Sequence, residues 1–459
     1  MRKQELFSSI NPTTETILAE YPALSEEELR SKVKGAAAAF QDWSQTSITH
    51  RADLLKSLKT ELLSQRDDFA KLMTLEMGKP ILQARAEIEK CAGLCDYYRT
   101  HGPQFLAPET VTGNTARKSY VRFDPLGPVL AVMPWNFPCW QVLRFAIPGL
   151  LAGNVCVLKH ATNVLGSAAR IEEIFLKAGY PAGVFCSLNT GRQSILPLIS
   201  SNEIKAVTLT GSELAGRAVA EAAGRHLKKC VLELGGSDPF IVLPGVDIET
   251  TAQKAVEART MNNGQSCIAA KRFIVHDECY DEFVDAMTAQ MKSLTVGDPL
   301  DESSAIGPLA RKDLRDTLHQ QVRSTVKEGG KLLTGGKPVD RKGWFYEPTV
   351  FSDVSPQMTA FREELFGPVA PIIKAADADE AVALANQSSF GLGSSIWTKD
   401  IEQAEKLAAR IESGCVFINQ VTMSDASVPF GGIKNSGYGR ELGEAGIREF
   451  VNMKTVWIG

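Results

Sequence analysis

From Gly127 onwards, the sequence alternates short runs of apolar and β-branched residues with segments long enough to form helices. The apolar runs lie at residues 129–133, 154–158, 184–188, 206–209 and 230–234. Helix-length segments such as 140–151 and 168–178 separate them. Strands that alternate with helices favour parallel βαβ units whose helices cover both faces of one sheet. We therefore predict an α/β fold with a buried parallel sheet.

A second alternating series follows Gly235-Gly236, which is a candidate boundary between two α/β domains. Its predicted strands are residues 273–275, 371–374, 394–397 and 415–418, and its predicted helices are 280–294, 312–328, 376–385 and 401–411. The stretch 424–439 contains Gly and Pro and is too long for an ordinary turn. Long loops in compact domains are often functional.

The sequence before residue 110 is mainly helical in pattern. Ser25 followed by Glu28 is a capping box, which predicts the start of a helix that runs through an alanine-rich stretch. Amphipathic, charge-rich helical sequence continues from about residue 51 to residue 99. Residues 118–123 then alternate apolar and polar side chains, which predicts a short strand outside the helical region.

Composition excludes several classes of function. The 459 residues correspond to about three domains. Fifty Lys and Arg against 54 Asp and Glu, without a basic block, do not indicate nucleic-acid binding. Nine Cys are too few, and odd in number, for a disulfide framework, so a reducing compartment is expected. The N-terminus has no signal-peptide pattern and no apolar run spans a bilayer, so we expect a cytoplasmic protein without a membrane partner.

Metal-binding patterns are missing from the sequence. It contains neither Cys-x-x-Cys nor His-Glu-x-x-His, and its six His are scattered. Cys91 and Cys95 are spaced one helical turn apart, but two thiols on one helical face are more often core residues. We predict no metal site.

Residues 210–216 read Thr-Gly-Ser-Glu-Leu-Ala-Gly between a predicted strand and a predicted helix. Glycine at such a turn permits close backbone approach, and a helix N-terminus favours a phosphate. The spacing is Gly-x4-Gly rather than the dinucleotide fingerprint Gly-x-Gly-x-x-Gly, and a plain βα turn is the commoner explanation. A phosphate-binding turn at Gly211 and Ser212 therefore stays one of two interpretations.

Two segments place a polar side chain at the end of a predicted strand. Residues 134–138 read Pro-Trp-Asn-Phe-Pro, where the Asn136 amide can donate to a developing oxyanion or can belong to a proline-bounded turn. Residues 231–236 read Val-Leu-Glu-Leu-Gly-Gly, with Glu233 inside an apolar run. Burial would raise the pKa of Glu233 towards the range of a general base, but a strand-end Glu that faces water fits equally well.

A third segment, residues 262–268, reads Asn-Asn-Gly-Gln-Ser-Cys-Ile and places Cys267 between small polar and apolar residues. A nucleophilic cysteine needs access and a stabilised thiolate. A lone cysteine is more often a small, inert core residue. By itself, this segment leaves both interpretations open.

Taken in this order, the three segments resemble the aldehyde dehydrogenase superfamily, with Cys267 placed 34 residues after Glu233. Residues 363–369 (Glu-Glu-Leu-Phe-Gly-Pro-Val) and 429–437 (Pro-Phe-Gly-Gly-Ile-Lys-Asn-Ser-Gly) match the same family. The resemblance runs from about residue 10 to the C-terminus. It implies an α/β fold with a Rossmann-type cofactor domain, a second α/β catalytic domain and a small β oligomerisation arm.

The resemblance also implies a mechanism. Cys267 is expected to attack the aldehyde carbonyl, and the Asn136 amide and the Cys267 backbone N–H to hold the oxyanion. Hydride transfer to a nicotinamide cofactor would leave a thioester, which a water activated by Glu233 would hydrolyse. A non-catalytic protein on this scaffold is disfavoured, since such a role needs none of these three residues.

By the same resemblance, the residues around the dinucleotide are Trp135, Asn136, Lys159, His160, Ala161, Thr162, Gly211, Ser212, Leu234 and Glu364. Lys159 and Glu364 would contact the riboses, and the turn at Gly211 the pyrophosphate. Many members read Lys-Pro-x-Glu where this chain has Lys-His-Ala-Thr at 159–162. Without that Glu, no carboxylate repels a 2′-phosphate, and the Thr162 hydroxyl can donate to one. We expect NADP to be accepted and NAD not to be excluded.

Arg144 and Ser424 match the residues that bind the distal carboxylate in family members that oxidise succinate semialdehyde. A cation and a hydroxyl suit a short aldehyde that carries a carboxylate. The other interpretation of Arg144 is a structural ion pair. Met261 stands where a second Arg is expected, which favours looser binding and related semialdehydes such as glutarate semialdehyde, or broader aldehyde specificity.

The family fold implies discontinuous domains. The cofactor-binding domain is expected to comprise residues 1–110 and 127–235, and the catalytic domain residues 236–430. Residues 111–126 and 431–459 are expected to form the oligomerisation element, because the C-terminal stretch 450–458 is rich in apolar residues. We expect a homodimer or a homotetramer.

Overall fold

The computed structural model describes residues 5–459. Residues 1–4, with which the N-terminal sequence and the predicted cofactor domain begin, lie outside the described residues. Within the described range, the helices are α1 Glu26–Trp43, α2 Ile48–Ser64, α3 Arg66–Met77, α4 Ile81–Phe105, α5 Trp140–Leu151, α6 Leu165–Lys177, α7 Ile195–Ser200, α8 Glu213–Arg225, α9 Ile248–Thr260, α10 Tyr280–Ser293, α11 Lys312–Lys327, α12 Thr359–Arg362, α13 Ala378–Asn386, α14 Ile401–Ala408 and α15 Gly443–Arg448.

The strands are β1 Leu6–Ile10, β2 Ile17–Pro22, β3 Glu109–Val111, β4 Lys118–Pro125, β5 Pro128–Met133, β6 Val155–His160, β7 Phe185–Ser187, β8 Ala206–Thr210, β9 Lys229–Glu233, β10 Pro239–Val242, β11 Arg272–His276, β12 Lys331–Thr334, β13 Thr349–Ser352, β14 Val369–Ala375, β15 Phe390–Gly391, β16 Ser395–Trp397, β17 Phe417–Ile418, β18 Ile433–Lys434, β19 Gly437–Tyr438 and β20 Val451–Ile458. They form two large sheets and three small ones. The predicted α/β fold is confirmed.

The first large sheet has the strand order β19-β9-β8-β5-β6-β7. Strands β5 to β9 are parallel to their neighbours, and β19 adds an antiparallel edge. Every residue of β5, β6 and β8 is buried, as expected for parallel strands with both faces covered. Because β5 pairs with β6 on one side and β8 on the other, the strand order reverses there. Ligands of such sheets bind beyond the carboxyl ends of the strands at this point.

The second large sheet has the order β12-β13-β14-β11-β10-β16-β17, and only β12 runs antiparallel to its neighbour. The four strands predicted after Gly236 lie in β11, β14, β16 and β17, and the four predicted helices correspond to α10, α11, α13 and α14. The sequence pattern did not indicate β10 or α9. The apolar run of β10 is only four residues long and opens with proline, and consecutive threonines lie in the first turn of α9, so neither element has a strong pattern in the sequence.

The helical region before the first sheet contains three helices where one continuous helical pattern was predicted from residue 51 to 99. Gly78, in the left-handed region at φ 80°, ends α3, and Pro80 precedes α4. The predicted capping box is confirmed: Ser25 Oγ accepts from Glu28 N over 3.2 Å, and the Glu28 carboxylate accepts from Ser25 N over 2.7 Å. The hairpin of β1 and β2 was not predicted.

A three-stranded sheet of β3, β4 and β20 joins distant parts of the chain. β20 pairs antiparallel with β4 over eight residues, from Val451 opposite Pro125 to Ile458 opposite Lys118. Within the segment 431–459, only β20 belongs to this sheet. The short strands β18 and β19 pair instead with β15 and with β9 of the first large sheet. No helix between residues 5 and 459 is long and apolar enough to cross a bilayer.

Candidate active site

Cys267 lies in a turn of the second α/β unit, after α9 and before β11, and is partly accessible. Residues 262–264, just before it, have φ values of 55°, 59° and 75°. Positive φ is costly for asparagine, so the surrounding contacts must hold this segment. The Asn263 side-chain amide does so by donating to the backbone carbonyls of Gly78 and Pro308 over 2.8 and 3.0 Å.

A fully buried lysine supports the Cys267 turn from within. The ammonium of Lys271 donates to the carbonyl oxygens of Ser266, Cys267 and Ala269 over 2.8, 2.8 and 3.2 Å. It also lies 3.3 Å from the Glu364 carboxylate. One cation therefore fixes the turn and brings positive charge close to the thiol.

The protonation state of Cys267 follows from these surroundings. Burial raises the pKa of the Cys267 thiol to about 12, although the charges of Lys271 and Arg144 act to lower it and those of Glu233 and Glu364 to raise it. The thiol is therefore protonated at neutral pH in the structure as it stands. Attack on a carbonyl requires a base that removes its proton, or added positive charge in the cleft.

Asn136 ties the turn after β5 to the turn that carries Cys267. Its side-chain Nδ2 donates to the Gln265 carbonyl over 3.1 Å, while Asn262 Nδ2 donates to the Asn136 carbonyl over 2.7 Å. The second amide hydrogen of Asn136 stays available. The backbone N–H of Cys267 has no hydrogen-bond partner within residues 5–459. Two donors are thus left beside the thiol, as an oxyanion requires.

Glu233 is the last residue of β9 and only 1% of its surface is exposed. Neither carboxylate oxygen has a hydrogen-bond partner in the described chain. Burial raises the pKa of Glu233 well above the usual value, and the nearby Glu441 raises it further. A Cβ at Gly431 would lie 2.7 Å from Glu233 Oε1, so glycine is required next to the carboxylate. Such a carboxylate is suited to take a proton near neutral pH.

The carboxyl ends of β6 and β8 carry the residues predicted to bind a dinucleotide. Lys159, near the end of β6, is buried and makes no hydrogen bond or ion pair with the rest of the described chain. Burial, with Arg192 nearby, lowers the pKa of Lys159 to about 8. An unpaired buried cation of this kind fits the hydroxyls and phosphates of a dinucleotide. Thr162 follows in the adjoining turn, where it is partly exposed, as is Ala161.

The turn after β8 is built by backbone contacts. Gly211 N donates to the Glu233 carbonyl over 3.0 Å, and Ser212 Oγ caps α8 by accepting from Ala215 N over 3.3 Å. The exposed Ser212 therefore stands at the N-terminus of a helix of 13 residues, where a phosphate is favoured. Leu234 lies so close to Gly216 that a Cβ there would come within 2.6 Å of its side chain.

On the opposite side, Glu364 accepts from Gly236 N over 3.1 Å, in addition to its contact with Lys271. Trp135 packs edge-on against Phe366 with 5.8 Å between ring centroids. These side chains belong to residues 134–138 and 363–369, two of the segments that carry the predicted resemblance.

This arrangement of residues can be compared with that of known protein families. The model of the aldehyde dehydrogenase family matches residues 1–456. The chain belongs to the aldehyde dehydrogenase family.

Three similar members cover nearly the whole chain. The NAD(P)+ succinate semialdehyde dehydrogenase Sad of Escherichia coli (strain K12) is 49% identical over 450 residues, which is 98% of this chain and 97% of that one. An NADP+ succinate-semialdehyde dehydrogenase of Mycobacterium avium (strain 104) is 47% identical, over 98% and 96%. The crystal structure of succinic semialdehyde dehydrogenase from Streptococcus pyogenes with NADP+ has a TM-score of 0.96 at 35% identity, over 98% and 99%.

In this aldehyde dehydrogenase, the predicted cofactor residue His160 has its side chain in the interior. The imidazole is fully buried. Its Nδ1 lies 3.0 Å from Ala161 N, which donates to it, and its Nε2 lies 3.0 Å from the Pro138 carbonyl. Burial lowers the pKa of His160 to about 4, so the ring is neutral. The ring therefore supports the turn that contains Asn136, and a contact of residue 160 with the cofactor stays a prediction.

The guanidinium of Arg144, predicted to bind a substrate carboxylate, makes several contacts within the chain. Its guanidinium forms a buried ion pair with Glu441, lies 3.5 Å from Thr210 Oγ1 and stands 4.9 Å from the centre of the Phe430 ring. Only 2% of Arg144 is exposed. The structure contains the ion pair of the alternative interpretation, and the binding of a substrate carboxylate by Arg144 stays a prediction. Its charge still acts on Cys267 and Glu233.

Ser424 is buried, and its hydroxyl accepts from the ammonium of Lys90 over 2.9 Å. Lys90, Lys271 and Glu441 were missed in the sequence, although each lies among the functional residues. Nothing in the pattern around Lys90 distinguishes it from a solvent-facing lysine of an amphipathic helix. Glu441 closely follows the matching segment 429–437, and Lys271 lies four residues after Cys267. Their positions in the sequence could therefore have indicated that both lie near the site. No group of His, Cys, Asp or Glu in the described part of the chain is arranged to hold a metal.

Proposed function

We propose that this chain oxidises succinate semialdehyde to succinate with reduction of NADP+ or NAD+. One observation carries the proposal: the Asn136 amide and the unpaired Cys267 N–H lie in adjoining turns near a partly accessible thiol. The buried Glu233 carboxylate lies near the same thiol. Full-length identity of 49% and 47% to two enzymes named for this substrate supports the choice of aldehyde.

The Cys267 thiol first loses its proton to solvent water, and attack by the resulting thiolate turns the planar aldehyde carbon into a tetrahedral one that can release hydride. The Asn136 amide and the Cys267 N–H hold the developing oxyanion. When bound, NAD(P)+ supplies the hydride acceptor. The product on the enzyme is a thioester at Cys267 Sγ. Glu233 then takes a proton from water, which attacks the thioester and releases the acid.

Acceptance of NADP+ rests on the charges beside β6. Lys159 is an unpaired buried cation, and Thr162 stands in the adjoining turn where a carboxylate would repel a 2′-phosphate. Gly211, Ser212, Leu234, Glu364 and Trp135 form the rest of the proposed binding cleft. Since no carboxylate at residue 162 repels a 2′-phosphate, NADP+ is accepted, and nothing in the cleft excludes NAD+.

The proposed assembly is a homodimer or homotetramer formed through the free edge of β20. Support comes from Met453, Trp457 and Ile458, which are exposed on that strand. We further assign residues 5–110 and 127–235 to the cofactor domain and 236–430 to the catalytic domain. A cytoplasmic location is supported by nine free cysteines, as expected in a reducing compartment.

The test is a panel of initial rates with succinate semialdehyde, glutarate semialdehyde and butanal, each with NADP+ and with NAD+. We expect the highest kcat/KM for succinate semialdehyde, with activity for both cofactors. Equal kcat/KM for butanal would favour an aldehyde dehydrogenase of broad specificity, and exclusion of NADP+ would contradict the assignment of Lys159 and Thr162.

Replacing the nucleophile tests whether the cleft is catalytic at all. Cys267→Ala removes the atom that forms the thioester, so aldehyde-dependent NADPH formation should fall by about 10⁴-fold or more. Circular dichroism and thermal unfolding show whether the variant is folded. A folded Cys267→Ala protein with full activity would mean that the chemistry lies elsewhere.

A further inference from the structure

Lys90 is a cation on α4 that reaches across to the loop before residue 430. Its Nζ donates to Ser424 Oγ over 2.9 Å and stands 4.1 Å from the centre of the Trp140 ring. The lysine forms no ion pair with any residue between 5 and 459. The ammonium is thus held by a hydroxyl and an aromatic face, and no carboxylate of the described chain is in direct contact with it.

The other cation expected in this region is already neutralised. Arg144 pairs with Glu441 in the interior, and Met261 stands where a second arginine was expected. Lys90 is therefore the positive charge beside Ser424 that remains free to bind an anion. Arg144 connects this place with the reaction centre, because its charge acts on both the Cys267 thiol and the Lys90 ammonium.

Lys90 is an exposed residue, whereas the two side chains that its ammonium contacts, Ser424 and Trp140, are buried. Burial, together with the charge of Arg144, lowers the pKa of Lys90 to about 8, although part of the side chain is still accessible. Next to it, the indole Nε1 of Trp140 is a buried donor without a hydrogen-bond partner in the described chain. A bound carboxylate would accept a charge-assisted hydrogen bond from the Lys90 ammonium, beside a buried indole donor that lacks a partner.

We propose that Lys90, together with Ser424, binds the distal carboxylate of the semialdehyde substrate and thereby takes the role that the sequence suggested for Arg144. The inference rests on the proposed function, since it concerns how that substrate is selected. It makes Lys90 a specificity residue: an aldehyde without a carboxylate gains nothing from it.

The experiment compares Lys90→Met with wild type, using succinate semialdehyde and butanal. Loss of a charge-assisted hydrogen bond should raise KM for succinate semialdehyde by at least about tenfold, with little change in KM for butanal. Lys90→Arg keeps the charge and should retain a KM for succinate semialdehyde close to wild type. Arg99→Met, which removes an exposed positive charge from the same helix, is the matched control and should leave both KM values unchanged.

The outcomes separate the two proposals. If wild type itself prefers butanal, the proposed substrate is wrong, whatever the variants do. If wild type prefers succinate semialdehyde but Lys90→Met leaves its KM unchanged, or raises KM for both aldehydes alike, the assignment of Lys90 is overturned. Unfolding temperatures of the variants, measured alongside, show that a selective change in KM does not arise from a loss of folded protein.

A pH series gives a second readout. The charged and titratable groups around Lys90 are Glu87 and Cys91 on its own helix, Arg144 on α5 and Asp425 on the adjoining loop. The ammonium is lost above pH 8, so the ratio of KM for succinate semialdehyde to KM for butanal should rise there in wild type. In Lys90→Arg the ratio should stay flat, because arginine does not titrate in this range. A flat ratio in wild type would overturn the proposal.

Discussion

At the scale of single residues, the burial of Glu233 is unfavourable for folding but makes its carboxylate a better base for the proposed hydrolysis. Its two carboxylate oxygens lack hydrogen-bond partners within residues 5–459, and burial raises its pKa well above that of an exposed glutamate. A carboxylate in water is too weak a base to deprotonate water efficiently at neutral pH. The same side chain, buried at the end of β9, is a stronger base once it is ionised.

We expect Glu233→Gln to separate the two halves of the reaction. The variant should still form one equivalent of NADPH in a rapid burst, because the thioester can form, but the steady rate should fall by about 10²- to 10⁴-fold. In wild type, the base is the deprotonated form, so hydrolysis should increase with pH through the raised pKa of Glu233, and this rise should be absent in the variant. Stopped-flow absorbance at several pH values measures both, and an unchanged steady rate would contradict the role of Glu233.

Residues next to each other in the chain were predictable, whereas pairs that meet only in the folded chain were not. Cys267, Glu233 and Asn136 stand in segments whose composition is unusual by itself, and the structure brings those segments together. Arg144 was ambiguous because its partner, Glu441, comes from the other end of the chain. The burial of the His160 ring was not predictable, because nothing in its neighbours in the sequence shows that the Pro138 carbonyl lies within hydrogen-bonding distance.

At the scale of elements, the start of α5 depends on a neighbouring helix. Cys139, the residue that precedes α5, provides no side-chain cap. The Glu87 carboxylate on α4 accepts instead from the backbone N–H of Cys139 and Trp140, over 2.9 and 2.8 Å. Lys79 forms a buried ion pair with Glu87 and stands 3.9 Å from the centre of the Phe137 ring. The turn that carries Asn136 is thus held by a buried ion pair at a helix N-terminus.

We expect Glu87→Ala to reduce the free energy of unfolding by about 3 to 5 kcal/mol, because it leaves the Lys79 ammonium and two N–H groups buried and unpaired. Urea titration measures this change. Glu89→Ala is the control on the same helix: Glu89 is exposed and pairs with Arg66 at the surface, so its loss should cost no more than about 1 kcal/mol. Equal costs for the two variants would show that Glu87 does not secure α5.

Elements with a strong periodic pattern were predicted, and those defined by long-range pairing were not. α5 agrees with its predicted bounds because all twelve of its residues are apolar or packed in the interior. β10 has only four residues and starts with proline, so it becomes a strand only by pairing with β11 and β16. The strands β1 and β2 also lack a clear alternation of apolar and polar residues, and they are defined by their pairing with each other.

At the scale of the whole molecule, the site exists because two sheets meet at one place. Asn136 and Glu233 come from the carboxyl ends of β5 and β9 in the first sheet, and Cys267 from the turn before β11 in the second. A Cβ at Gly236 would lie 2.6 Å from the Cys267 carbonyl oxygen, so the backbones of the two units approach closely there. The sequence predicted the two units, but the closeness of their approach depends on packing between residues far apart in the chain.

Strand β20 forms one edge of the small three-stranded sheet. β20 pairs with β4 on one side only, and Met453, Trp457 and Ile458 are 69%, 54% and 42% exposed. Apolar side chains on an uncovered strand edge favour association with another chain. This edge is the surface through which we expect the subunits to assemble.

Replacing Met453 and Trp457 together by glutamate should convert the oligomer to monomers, because like charges would meet across the interface and the apolar contact would be lost. Sedimentation velocity measures the change in mass. Leu227→Glu is the matched control: Leu227 is 95% exposed, follows the end of α8 and belongs to no strand of the small sheet, so its replacement should leave the mass unchanged. An unchanged sedimentation coefficient in the double variant would place the interface elsewhere, whereas monomers that keep the far-ultraviolet spectrum of wild type would show that β20 serves assembly rather than folding.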